Sequence, residues 1–327
     1  MIFLDLLSFL GGLFLLYIGA ELLVRGSSRI ALLLRISPII VGLTIVAFGT
    51  SSPEFLVSFV AAYNGNIEVS VGNIVGSNIA NIGLVLGLSA LLLPIMEFKD
   101  NIRNELFWVT GTTFIFWIFS WNNVIGLSEG VILFAGIILF TIILIRQSMH
   151  DRKENFVDDI PKIETGWAFI DKYPDKIRIL IFSVWAVAGI IVLGYGSDVT
   201  ISAAVSIATK LGISQVVIGL TMVAFGTSLP ELATGIISVF KKENEILIGN
   251  VIGSNIFNIL GVAGPIAIFF PIPISEHLVK FDFPVMLVFT LVVFVLMIWK
   301  NRISRISAAI FFTGYIAYII WVIFSKA

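Results

Sequence analysis

The run "VAFGTSSPEF", Val46 to Phe55, sits inside one of the most apolar regions of the chain, and "VAFGTSLPEL" follows at Val223 to Leu232. A glycine, a threonine, serines, a proline and a glutamate in succession are costly against lipid, where every backbone polar group needs an internal partner. The same costly run occurs twice at an offset of 177 residues, and that recurrence decides how the rest is read.

The surroundings are those of an integral membrane protein. Of 327 residues, 58% are hydrophobic and 13% charged, against about 25% charged in an ordinary soluble domain. Mean hydropathy is +1.05. A net charge of −1 gives no basic excess for nucleic acid, and the absence of cysteine rules out disulfides and thiolate metal sites. The opening "MIFLDLLSFLGGLFLLYIG" has no positive n-region, so it reads as a first membrane helix rather than a cleaved leader.

A bilayer core takes about 20 helical residues. Counting on that basis gives ten spans, near 2–24, 30–62, 70–95, 104–121, 124–146, 177–200, 205–240, 246–271, 280–299 and 303–324. The only long polar stretch separates five from five, so the chain divides into 1–147, a linker 148–176, and 177–327. With the N-terminus outside, 17 of the 20 lysines and arginines fall on the cytoplasmic side, the linker's included.

The repeat fixes the plan. "GLTIVAFGTSSPE" (Gly42–Glu54) matches "GLTMVAFGTSLPE" (Gly219–Glu231) at 11 of 13 positions, and "GNIVGSNIANI" (Gly72–Ile82) matches "GNVIGSNIFNI" (Gly249–Ile259) at 8 of 11. The same offset sets Glu21 opposite Asp198 without a gap. Five spans per copy is an odd number, so the second copy enters the membrane from the opposite side. The fold class expected is an all-α membrane protein of two inverted-topology repeats, with broken helices at the midplane where transporters place their sites.

The chemistry follows from the residue types. Pro53 has no N–H, which frees the carbonyl of Gly49, and Pro230 does the same for Gly226. Glu54 and Glu231 are carboxylates at membrane depth, and no basic residue lies at their level to neutralise them. Thr50 and Ser51 precede Glu54 by four and three residues, as Thr227 and Ser228 precede Glu231. Asn73, Ser77 and Asn81 form a polar stripe at i, i+4, i+8, copied by Asn250, Ser254 and Asn258. Two carboxylates with hydroxyl, amide and carbonyl oxygens, and no histidine or cysteine, form a hard-ligand set suited to Ca²⁺ and also to Na⁺. Asn73 and Asn250 read equally well as interhelical hydrogen-bond partners. Glu21 reads as an ion-pair partner of Arg25, His150 and His277 as solvated connection residues, and the linker charges as a solvated face.

The paired "GTSSPE" and "GTSLPE", each followed by "GN..GSNI..NI", resemble the two α-repeats of the cation/Ca²⁺ antiporter superfamily, most closely its prokaryotic sodium/calcium exchanger branch. The resemblance implies that Glu54, Glu231 and the carbonyls of Thr50 and Thr227 bind Ca²⁺. It implies Na⁺ ligands at Ala47, Ser51 and Ser77, and at Ala224, Ser228 and Ser254, with Asn81 and Asn258 between them. It also implies that the first and sixth helices slide past the other eight. Two positions depart from the family pattern: Asn258 stands where an aspartate is frequent, and Ser52 where leucine is usual. The first removes a charge and leaves Na⁺ or H⁺ as the counter-ion.

The expectation is therefore a Ca²⁺/Na⁺ antiporter in the cell membrane, with no cofactor, no enzymatic activity and no obligate protein partner. H⁺/Ca²⁺ exchange is the nearer alternative and a cation channel the more remote one. An intramembrane hydrolase lacks a histidine or lysine base at the depth of the serines.

Overall fold

A computed structural model describes residues 2–95, 102–154, 167, 169–211, 226–300 and 302–326. Among these the chain is almost wholly helical. The helices are α1 (Ile2–Leu34), α2 (Pro38–Thr50), α3 (Ser52–Tyr63), α4 (Ile67–Leu92), α5 (Arg103–Phe119), α6 (Leu127–Glu154) and α7 (Asp175–Lys210). They continue with α8 (Leu229–Phe240), α9 (Asn244–Phe269), α10 (Leu278–Lys300) and α11 (Arg305–Lys326). Two residues each of β1 (Val124–Ile125) and β2 (Ile272–Pro273) pair antiparallel, a clip between two connections. Among the described residues, seven helices are long and apolar enough to cross a bilayer, and α2 with α3, bent by 43°, makes an eighth.

The first helix is longer than its sequence suggests. "RGSSR" at Arg25–Arg29 reads as a connection between spans, yet α1 runs unbroken to Leu34. No proline interrupts it, and its polar groups find partners without breaking the helix: Arg25 reaches back to Glu21, and Ser28 Oγ donates to Glu243. Termination comes later, where Arg35 adopts φ +57° and Ser37 Oγ caps Ile39 N at 3.2 Å ahead of Pro38. At the equivalent place α7 is likewise continuous over 36 residues, through the polar stretch around Asp198. The fifth span also continues, to Glu154, past the boundary drawn at 147.

These two long helices lie antiparallel, backbone against backbone. Gly12, Gly19 and Gly26 recur every seventh residue on α1, and Gly189 and Gly196 answer them on α7. A Cβ on Gly19 would lie 2.7 Å from Leu193 N, on Gly26 2.7 Å from Phe182 O, and on Gly189 2.6 Å from Leu23 N. Small residues at such a seam let membrane helices gain dispersion contacts that larger side chains prevent. One end of the pair is tied by Lys210 and Ser206, both on Asp5.

The remaining helices enclose α4 and α9, which carry the two "GN..GSN" segments and are the most buried spans. Close approach recurs here: a Cβ on Gly249 would lie 2.4 Å from Ile39 O, which brings α2 directly against α9.

Two readings of charged residues as solvated need correction. Arg178 is buried and bonds Asp171 and Asp175 at 2.8 Å each, so charges at the end of the linker form a compact ion pair cluster. His277 Nδ1 lies 3.1 Å from Asp282 Oδ2, and its ring stacks on Trp321. Buried Asp282 also accepts from Tyr318 Oη at 2.7 Å, and a carboxylate in that setting recruits whatever donors are near.

The glycine seam is open to test. Gly19→Leu and Gly189→Leu should each destabilise the protein by about 1–3 kcal/mol or more through overpacking against backbone that cannot yield. Gly11→Leu, with nothing within 4 Å of its added Cβ, should be tolerated. Thermal unfolding of the detergent-solubilised variants reads the difference.

Candidate cation-binding site

The α2–α3 break falls within the first quoted run. Ser51 takes φ −87° and ψ 6°, Pro53 sits in the first turn of α3, and Glu54 follows in that same turn. Ser228 repeats this geometry at φ −87° and ψ 5°, with Pro230 and Glu231 opening α8. Proline is well placed in a helix's first turn because the N–H it lacks has no intrahelical acceptor there. The carbonyl released at Gly226 is taken by Ser197 Oγ of α7 at 2.8 Å, so in this half it is capped by a hydroxyl. The offset sets Ala20 opposite Ser197, so the first half has no matching hydroxyl for Gly49.

The two carboxylates meet in the interior. Glu54 is 1% exposed and Glu231 fully buried. Each faces the hydroxyls of the opposite half: Glu54 lies beside Thr227 and Ser228, Glu231 beside Thr50 and Ser51. Ser51 Oγ donates to Glu231 Oε1 at 2.9 Å. Glu231 Oε2, both oxygens of Glu54 and Ser228 Oγ have no hydrogen-bond partner among the described residues. The one basic side chain buried among those residues, Arg178, is committed to Asp171 and Asp175. Two carboxylates held this close without a countercharge repel, and burial in low dielectric magnifies the repulsion.

The asparagines divide into two roles. Thr50 Oγ1 donates to Asn250 Oδ1 at 3.0 Å, and Thr227 Oγ1 to Asn73 Oδ1 at 3.2 Å, the same bond made twice at the repeat offset. Asn73 Nδ2 also reaches Ser58 Oγ at 2.9 Å and Glu54 O at 3.3 Å. Asn73 and Asn250, which the sequence left balanced between structure and ligand, thus use their amides to hold the threonines. Asn81 and Asn258 differ: Asn81 Oδ1, Asn258 Oδ1 and Asn258 Nδ2 are buried without partners, as is Ser77 Oγ. Each lies at a π-helical turn, Asn81–Leu86 or Phe257–Ala263, a local widening frequent at functional sites.

Other expected residues are less exclusively available. Ser254 Oγ makes a long bond to Asn250 Oδ1 at 3.4 Å, and Ala47 O already accepts Ser51 N at 3.0 Å. Ala224 lies outside the described residues. Glu21 bonds Arg25 and, at 2.7 Å, Lys241, an ion-pair role as read from its spacing. Sequence reasoning passed over Asn78 and Asn255, which also recur at the repeat offset; Asn255 Oδ1 accepts from Asn81 Nδ2 at 3.0 Å. No group of three or more histidine, cysteine or acidic side chains gathers among the described residues.

The sequence and the fold have known counterparts. A family profile described as sodium/calcium exchanger protein matches residues 4–146 and 181–324, the two blocks that flank the polar connection. The chain belongs to the sodium/calcium exchanger protein family. Membrane protein MJ0091 of Methanocaldococcus jannaschii is 38% identical over 81% of this chain and 82% of its own. The sodium/calcium exchanger MaX1 of Methanosarcina acetivorans is 29% identical over 98% and 99%. Among solved structures, the sodium-calcium exchanger NCX_Mj soaked with 10 mM Na⁺ and 10 mM Sr²⁺ superposes at a TM-score of 0.82 with 31% identity, covering 98% of this chain and 99% of that one. The family resemblance carried by the paired motifs therefore holds over nearly the whole exchanger chain.

Asn73 is the most connected amide here. Asn73→Leu should cost about 1–3 kcal/mol by leaving Thr227 and Ser58 without their buried partner. The drop in thermal stability relative to wild type measures it.

Proposed function

We propose that the protein is a secondary antiporter exchanging Ca²⁺ for Na⁺ across the cell membrane by alternating access. One observation carries the reading: two buried carboxylates, three of their four oxygens unpartnered, face each other with no protein cation nearby. A single Ca²⁺ neutralises their −2 charge. Glu54 and Glu231 with Thr50 and Thr227 would hold it. Ala47, Ser51, Ser77, Ala224, Ser228 and Ser254 would serve Na⁺ on either side, with Asn81 and Asn258 between. Family membership and the likeness to a sodium-calcium exchanger structure support exchange over a channel or an enzyme.

The architecture in this reading is ten spans in two inverted repeats, 1–147 and 177–327, joined by the 148–176 linker. Recurrence of the Ser51 and Ser228 breaks and of the crossed Thr–Asn bonds at one offset supports it. The basic-residue distribution favours an outside N-terminus and a cytoplasmic linker. In this scheme α1 and α7, locked by their glycine seam, move as one body against the rest. Their contacts with each other are then kept, and those facing the site change.

H⁺ is the second candidate for the counter-ion, on the observation that Asn258 supplies a neutral amide where an acid is frequent. Three Na⁺ for one Ca²⁺ would move net charge, whereas two H⁺ on the same carboxylates would not. In vesicles of purified protein, ⁴⁵Ca²⁺ uptake is expected under an imposed Na⁺ gradient; uptake under a pH gradient alone would assign the coupling to H⁺. Glu54→Gln and Glu231→Gln should each abolish exchange while the protein still elutes as a folded species. Asn258→Asp should shift the Na⁺ or pH dependence of uptake, and an unchanged profile would take that position out of the coupling.

A further inference from the structure

Asn81 and Asn255 face each other across the centre of the molecule, on α4 and α9, and both are essentially inaccessible. A primary amide has a donor end and an acceptor end, and only its oxygen can meet a cation. Asn255 Oδ1 accepts the Nδ2 proton of Asn81 at 3.0 Å, which commits the donor end. The acceptor end, Asn81 Oδ1, remains buried and without a partner.

The equivalent pair shows that this bond is not demanded by helix packing. Asn78 and Asn258 occupy the corresponding positions, and there the bond is absent: Asn258 Oδ1 and Nδ2 and Asn78 Oδ1 all lack partners. Asn78 Nδ2 is tied to Ile74 O at 2.7 Å, so its oxygen is left as an acceptor with nothing donating to it. The same two helices therefore pack with the bond at one end of the repeat and without it at the other. What the bond does fix is the orientation of Asn81.

Resting on the cation-site reading above, we propose that Asn255 is a positioning residue, which holds the Asn81 amide so that its oxygen, and not its NH₂, is presented to the transported cation. Without that acceptor no hydrogen bond fixes which end of the Asn81 amide faces the cation, as at Asn258, whose oxygen and nitrogen both lack partners. A donor turned toward a cation is repelled by it, so each binding event must first reorient the side chain.

The test is a double-mutant cycle on equilibrium ⁴⁵Ca²⁺ binding to the purified full-length protein, joined to the KM and maximal rate of uptake in vesicles. Asn255→Leu removes the acceptor at similar volume and should weaken Ca²⁺ binding about tenfold, equivalent to about 1.4 kcal/mol and to one buried hydrogen bond. The loss should fall on KM, with the maximal rate largely kept. In an Asn81→Ala background Asn255→Leu should have no further effect, because a residue acting through Asn81 has nothing left to position. Multiplying losses in the double variant, or wild-type affinity in Asn255→Leu where Asn81→Ala binds weakly, would overturn the positioning role alone. Wild-type affinity in Asn81→Ala itself would take Asn81 out of the cation site and this proposal with it, while loss of Ca²⁺ binding in Glu54→Gln would keep the two-carboxylate reading standing. Should Asn255→Leu fail to elute as a folded species, Asn255→Ala removes the same acceptor with a smaller side chain and closes the cycle.

Discussion

Two carboxylates buried side by side with no basic partner are the constraint around which the rest of the chain is arranged. Left alone, Glu54 and Glu231 repel one another in a medium that screens poorly. A folded protein tolerates this only if the pair is reached by something that arrives with positive charge. The helix breaks at Ser51 and Ser228 bring the carboxylates into first turns, where helix N-termini stabilise negative charge. The hydroxyls of the opposite half crowd each carboxylate without neutralising it. That leaves a site whose stability depends on its occupant, which is what a carrier needs and a structural ion pair does not.

Packing is organised to hold that site while allowing movement beside it. Asn73 and Asn250 spend their amides on Thr227 and Thr50, so the two breaks are pinned to the buried helices α4 and α9. By contrast α1 and α7 spend their glycines on each other. Backbone contact along a seam of seven-residue period makes them a stiff pair. Their attachments elsewhere combine apolar contact, Leu16, Leu23 and Leu193 clustering with Val46, Leu229, Ile237 and Ile246, with polar links from Glu21 to Lys241 and Ser28 to Glu243.

Much of this was legible because the repeat is written in residues that membrane helices otherwise avoid. Gly, Thr, Ser, Pro and Glu at one offset gave the breaks, the carboxylates and the threonines, since each has a local consequence that sequence carries by itself. The parts that were not legible depend on partners far along the chain. "RGSSR" looks like a connection until Ser28 is seen to donate to Glu243, and His277 looks solvated until Trp321 is stacked on it. Gly12, Gly19 and Gly26 carry a visible period, but nothing local says that α7 answers it with Gly189 and Gly196. Asn255 had the same repeat signature as the ligand candidates and was passed over because its role is to orient another side chain.

The two halves are alike in sequence but not in their hydrogen bonds. Ser51 Oγ reaches Glu231 while Ser228 Oγ has no partner; Asn81 is bonded to Asn255 while the Asn258 amide makes no bond; Gly226 O is capped by Ser197 while the offset puts Ala20 at the position of that serine. The first two are differences of conformation, since both halves own the residues needed, and a shift of the helices can exchange them. The third is a difference of covalent structure and survives any shift. A carrier built from two such halves has two arrangements that are related by the repeat but not equal in energy. The Ser197–Gly226 bond is thus an asymmetry between the halves that is written into the sequence itself.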